Sequence, residues 1–193
     1  MGLLGIISAI SFLIIILTSI VNEGKKAFFS TQIKLEIFFD SKILDPSNSE
    51  KITEIQNANY QTLIKASLLN YFPDIKTRND QRDLLSMISS SEQENLMRTL
   101  TNDISLMNTK KEFWLKSSSK YDVINKNPEM IDFAEEDRLI SNQQLFWFNE
   151  LKKDNRVKFG FNKIFFTAAD STEPEQAGIW GSVMGSFFTL FVT

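Results

Sequence analysis

Apolar and polar positions divide the chain into an unbroken apolar run, a long mixed segment and a second apolar run. Gly2 to Val21 (GLLGIISAISFLIIILTSIV) carries no charge over twenty residues. At ~1.5 Å per residue this length spans the ~30 Å hydrocarbon layer, so it predicts a transmembrane helix over residues 1–21. Gly178 to Thr193 (GIWGSVMGSFFTLFVT) is equally apolar, but its sixteen residues fall short of the ~20 a spanning helix needs. It predicts the start of a second transmembrane helix over residues 178–193, truncated within the span. A helix packed on a soluble domain would show a polar face, and this stretch has none.

The segment between them, residues 22–177, is patterned like a folded domain. Thr31 to Asp40 places Ile33, Leu35, Ile37 and Phe39 at period two, which predicts a half-buried strand. Asp45-Pro46-Ser47-Asn48 predicts a turn. Asn57 to Phe72 carries Leu63, Ala66 and Leu69 at helical spacing, with Ile64 and Leu68 beside them, and is stopped by Pro73. Thr77–Ile88 and Ser91–Leu100 predict two shorter helices, the second opened by a capping box of Ser91 and Glu94. Lys111–Lys116 predicts a strand and Ser119–Lys126 a short helix. Ser141 and Gln144 form another capping box, opening a helix with Leu145, Phe148 and Leu151 that ends in Lys152 and Lys153. Arg156–Asn162 alternates again. Thr172 and Glu175, with Pro174 between them, predict a capping box at the entry to the second apolar run. The fold class expected is an α+β extracytoplasmic domain between two transmembrane helices.

Charge sharpens this division. All 21 Lys and Arg and all 24 Asp and Glu lie between Glu23 and Glu175, for a net charge of −3. A cleaved signal peptide needs a basic start, an apolar run of ~7–15 residues and small residues before the cut. The N-terminal run meets none of these, so it is expected to remain as an anchor. The net charge and the lack of a basic run give no expectation of nucleic-acid binding. The chain contains no Cys and no His, which removes disulfides, thiol nucleophiles, the usual zinc sites and the commonest general base. Glu135-Glu136-Asp137 and the acids of Asp170 to Glu175 read as solvated faces rather than acid/base pairs. Ser117, Ser118 and Ser119 lie near Lys116 and Lys120 but lack a nucleophile elbow, and no phosphate-binding glycine loop is present. No catalytic residue, cofactor or metal is expected.

The candidate site residues are helix-packing positions instead. Gly5, Ser8, Ser11, Ile15 and Thr18 recur at spacings of three and four, a small and weakly polar stripe that lets a second helix approach closely in lipid. The alternative is that Ser and Thr bond back to their own helix. Gly181 and Gly185 make a GxxxG pair, and Trp180 sits where an aromatic ring prefers the headgroup level.

Taken in order, the N-terminal span, the strand leading to Asp45-Pro46, the helix from Asn59-Tyr60-Gln61 to Phe72-Pro73-Asp74 and the run Phe161 to Gly181 (FNKIFFTAADSTEPEQAGIWG) resemble one branch of the PstA-type permease subunits of phosphate ABC transporters. That branch carries a large extra domain between its first two membrane helices. The resemblance covers nearly the whole chain and implies a multi-pass component of the bacterial inner membrane. Its implied partners are a second permease subunit, two ATPase subunits and a periplasmic phosphate-binding protein, with Asn22 to Ala177 as a periplasmic insertion. ATP hydrolysis would then belong to the ATPase subunits, and this chain would be the N-terminal part of a permease whose later helices lie beyond Thr193. The reading from a different class is a sensor ectodomain held between two membrane helices.

Overall fold

The computed structural model describes residues 2–47 and 51–192. It divides into two compact units, Thr31–Phe159 and Met1–Ser30 with Gly160–Thr193. The chain opens with α1 (Gly2–Gly24), passes through a 3-10 turn and enters β1 (Phe29–Phe38). Two short helices follow, α2 (Ser41–Leu44) and α3 (Ile52–Asn57), and then α4 (Tyr60–Tyr71), α5 (Arg78–Leu85) and α6 (Glu92–Asn102). After β2 (Lys110–Lys116) come α7 (Ser119–Lys126), α8 (Asn142–Lys153), β3 (Val157–Phe161), α9 (Lys163–Thr167) and α10 (Trp180–Val192).

The fold is α+β. The strands form one sheet in the order β2-β1-β3. β1 and β2 run antiparallel, with Ile33 opposite Leu115 and Leu35 opposite Phe113. On the inner face of β1, Ile33, Leu35 and Ile37 are fully or almost fully buried, and Phe39 continues the row past the strand end. They join a single core with Leu63, Ile64 and Leu68 of α4, Leu84 of α5, Leu96 and Leu100 of α6, Tyr121 and Ile124 of α7, and Phe148 and Leu151 of α8. Helices therefore cover one face of the sheet, as the period-two pattern requires.

The opposite face is wet and charged. Glu36 lies directly across from Glu112, an arrangement that repels. The diagonal lysines relieve it, Lys34 reaching Glu112 at 3.3 Å and Lys110 reaching Glu36 at 3.2 Å. Lys158 of β3 sits 3.9 Å over the Trp114 ring, so a cation also covers the exposed indole.

Side-chain caps mark the starts of several helices. The Ser141 hydroxyl accepts from the Gln144 amide at 3.2 Å and the Gln144 side chain accepts from the Ser141 amide at 3.0 Å, completing the expected capping box. Thr77 caps α5 by accepting from the Asp80 amide at 3.1 Å. Asn59 caps α4 through the Thr62 amide at 3.3 Å, so the helix expected from Asn57 begins at Tyr60, and Asn57 instead closes α3.

Two expected boxes do not form. Ser91 already has helical backbone angles, which turn its side chain away from the first-turn amides; its hydroxyl meets that of Ser89 at 2.9 Å, and Glu94 pairs with Arg98 at 2.6 Å. Instead of a helix start at Thr172, Glu173 to Gln176 forms a turn, with the Gln176 amide donating to the Glu173 carbonyl at 2.9 Å, and α10 begins only at Trp180. Of the turn expected at Asp45 to Asn48, Pro46 and Ser47 are in a turn and Asn48 lies outside the described residues.

Candidate membrane-facing site

α1 is long and apolar enough, by length and composition, to cross a membrane, whereas α10 is a shorter apolar helix. Both leave most of their apolar side chains uncovered by the other described residues. Ile6, Ile10, Phe12, Ile15, Leu17 and Val21 are all more than half exposed around α1, and Phe187, Phe188, Leu190 and Phe191 are more than half exposed on α10. Apolar surface left in water forfeits about 25 cal/mol per Å², and the length and composition of α1 fit a membrane span and a signal sequence alike.

Where α1 ends, a cluster of phenylalanines begins. Phe28 lies 5.8 Å from Phe165 and 5.4 Å from Phe166, Phe29 meets Phe161 edge-on at 6.3 Å, and Phe161 stacks on Phe166 at 5.4 Å. The backbone holds the rings together. The Asn162 amide donates to the Phe28 carbonyl at 2.9 Å and the Asn162 side chain to the Ala27 carbonyl at 3.3 Å, while α9 presents Phe165 and Phe166. Packed on one another, Phe28, Phe29 and Phe161 still remain 38%, 47% and 56% exposed. Lys25, in the preceding turn, bonds Asn22 at 3.3 Å and places a cation beside the rings in sequence. The sequence reading missed this collar, although its signal was present in the Phe28-Phe29 pair and the Phe161, Phe165, Phe166 spacing.

The link from α9 to α10 is tight. The Gly178 amide donates to the Ala169 carbonyl and the Ile179 amide to the Phe165 carbonyl, both at 2.9 Å. A Cβ on Gly178 would lie 2.4 Å from the Ala168 carbonyl oxygen, so the close approach requires glycine there.

The predicted packing positions divide into different environments. On α1, Ser8 and Thr18 are exposed, and the Ser11 hydroxyl donates to the Ile7 carbonyl at 2.9 Å, the back-bonding alternative. A Cβ added at Gly5 or Gly185 would meet nothing within 4 Å, whereas at Gly181 it would rest 3.7 Å from the Ala169 Cβ, an ordinary contact. Gly181 thus lies against its own chain, and Gly5 and Gly185 face open space.

Polar clusters elsewhere serve the fold. The Ser118 hydroxyl donates to the Ser86 carbonyl at 2.7 Å and the Ser117 hydroxyl to the Ser118 carbonyl at 3.3 Å, so both are engaged by backbone. Glu92 is 6% exposed beside the buried Lys116 and accepts from Asn95 at 3.1 Å. Burial pushes its carboxyl up, against the opposing pull of the Lys116 backbone amide, the Asn95 side chain and the Lys116 ammonium. Glu135 accepts from the Asn142 amide at 2.8 Å at the start of α8. Among the described residues no three Asp or Glu side chains come together as a metal site.

Residues 1–135, from α1 through the 3-10 turns after α7, match the family model described as Domain of unknown function (DUF3333). The chain belongs to the DUF3333 family. The DUF3333 match takes in β1 and β2 and stops before α8, β3, α9 and α10. Comparison with curated proteins and with solved structures finds no match.

Proposed function

We propose that this DUF3333 chain is a membrane-embedded component of an ABC-type phosphate importer, a permease part of the PstA type. In this reading α1 and α10 lie in the inner membrane and pack against a second permease subunit. The α+β domain, residues 22–177, stands in the periplasm, ATPase subunits act on the cytoplasmic side, and a phosphate-binding protein delivers the ion. The chain itself performs no chemistry on ATP. The observation that carries the reading is the pair of uncovered apolar helices that bracket one polar domain in sequence, with an aromatic collar at the end of the first. The likeness of the run from Phe161 to Gly181 to PstA-type permeases supplies the transport class.

The test is purification of the tagged full chain from membranes of its own host, with phosphate uptake measured after deletion of its gene. Recovery of an ATPase subunit and a second permease, together with reduced uptake, is the expected result. Recovery of a signalling kinase with uptake intact would replace the permease with the sensor reading.

A further inference from the structure

Net charge and sequence order conceal a concentration of positive charge that folding assembles. α4 and α5 pack as a helical hairpin, and a cleft of about 330 Å³ opens between them. Lys65 of α4 and Arg78 and Arg82 of α5 all line it, with the Thr62 side chain on the α4 wall. None of the three cations forms an ion pair among the described residues. In the same domain Lys34, Arg98, Lys110, Lys126 and Lys153 each have a carboxylate partner.

Arg78 and Arg82 stand four residues apart, so they share one face of α5, a like-charge spacing that destabilises a helix. Asp80 and Asp83 lie on other faces of that helix, and no carboxylate is among the described residues that line the cleft. The cleft continues into a second hollow of about 250 Å³ that shares Gln61, Arg82 and Leu85 with it; this hollow is floored by Ile64 and Ile88 and contributes no further cation. Positive charge is therefore confined to the α4–α5 end. Three cations without an ion-pair partner among the described residues line one open cleft, and two of them are guanidinium forks that bind oxygen pairs in a plane, which matches one ligand chemistry.

We infer that the α4–α5 cleft binds a small polyvalent oxyanion, of the phosphate, sulfate or tricarboxylate class, held by Arg78, Arg82 and Lys65. The inference uses only residues within the polar domain and is independent of whether the chain belongs to a transporter. Three cations suffice for one such ion and fall well short of the extended track that a nucleic-acid backbone needs.

The test is calorimetric titration of the full chain in a non-ionic detergent, which keeps lipid phosphate out of the sample, with inorganic phosphate, sulfate and citrate at constant ionic strength. Saturable binding of at least one of them is expected, weakening with added salt. Arg78→Gln and Arg82→Gln should each weaken it about tenfold, the worth of one charge-assisted pair. Arg98→Gln, which removes a cation already paired with Glu94, should leave it unchanged. Both cleft arginines are exposed, so these variants should keep the wild-type circular dichroism, which verifies the comparison. No saturable binding of any of the three anions at concentrations up to ~10 mM, tenfold beyond a millimolar affinity, overturns the inference. So does binding that Arg78→Gln and Arg82→Gln leave intact.

Discussion

Asp122 accepts the backbone amide of Thr31 at 2.7 Å, across 91 residues of sequence. The same face of α7 adds two further ties, Asn125 donating to the Thr31 hydroxyl at 3.1 Å and Lys126 pairing with the second Asp122 oxygen at 2.5 Å. Thr31 is fully buried, so its amide has no water to fall back on. Asp122→Ala should cost about 2 kcal/mol, the penalty for stranding a buried donor. Asp122→Asn keeps an acceptor and should cost clearly less. The urea midpoint at unchanged slope measures both, and equal losses would remove the hydrogen bond as the cause.

At the other end of α8 the chain reverses through Asn155, whose φ of 54° is left-handed. The Asn155 amide donates to the Lys152 carbonyl at 3.1 Å and the Arg156 amide to the Leu151 carbonyl at 2.9 Å, the paired bonds of a Schellman end. Arg156 then delivers the chain into β3, its carbonyl accepting from the Lys34 amide at 2.8 Å. Asn tolerates this conformation better than other side-chain residues, and Gly better still. Asn155→Ala should destabilise by about 1 kcal/mol, while Asn155→Gly should be neutral or slightly stabilising. Thermal midpoints of the two variants should therefore fall on opposite sides of a small gap or with glycine at the wild-type value.

How legible these features were depends on how local their cause is. Ile33, Leu35 and Ile37 alternate because one sheet face is dry, so β1 could be read directly, as could α7 and the Ser141–Gln144 box, whose partners are three residues apart. The Ser91 box fails because Ser91 lies in the turn that follows Ile88, whose isolated bridge to Ser117 just past the end of β2 is a tertiary pairing that no four-residue pattern reveals. The Phe28–Phe166 collar joins segments more than a hundred residues apart, and the Lys65–Arg82 cleft joins two helices, so neither has a local spacing to announce it. α2 and α3 are too short for a helical period to emerge from their apolar positions.

Glu92 makes stability depend on pH. Its carboxyl is held above the ordinary 4.5, mainly by burial. An acid with a raised folded pKa contributes its stability in full below the unfolded value and loses it as pH rises through the folded one. Glu92→Gln removes that titration. Relative to the variant, the wild-type chain should be most stable below the ordinary carboxyl value of 4.5 and lose ground as pH rises above it. Urea midpoints of both proteins across that range give the comparison, and a constant or growing wild-type advantage would refute it.

The collar at the end of α1 makes the membrane reading measurable residue by residue. The chain contains no cysteine, so a single introduced thiol reports one position without background. Phe161 and Phe133 are almost equally exposed, at 56% and 50%, yet only Phe161 belongs to the aromatic cluster beside the apolar helix. Exposure to water alone predicts the same behaviour for both. If the collar lies at the headgroup level, as rings beside a span prefer, a spin label at Phe161→Cys in lipid nanodiscs should collide more with oxygen than with a water-soluble nickel chelate, and a label at Phe133→Cys should do the reverse. Ile15→Cys, near the middle of α1, sets the scale for full immersion. A label at 161 that matches the one at 133, while the one at 15 is immersed, would leave α1 in the membrane and lift the collar out of it. Nickel access at all three positions would remove the membrane reading itself.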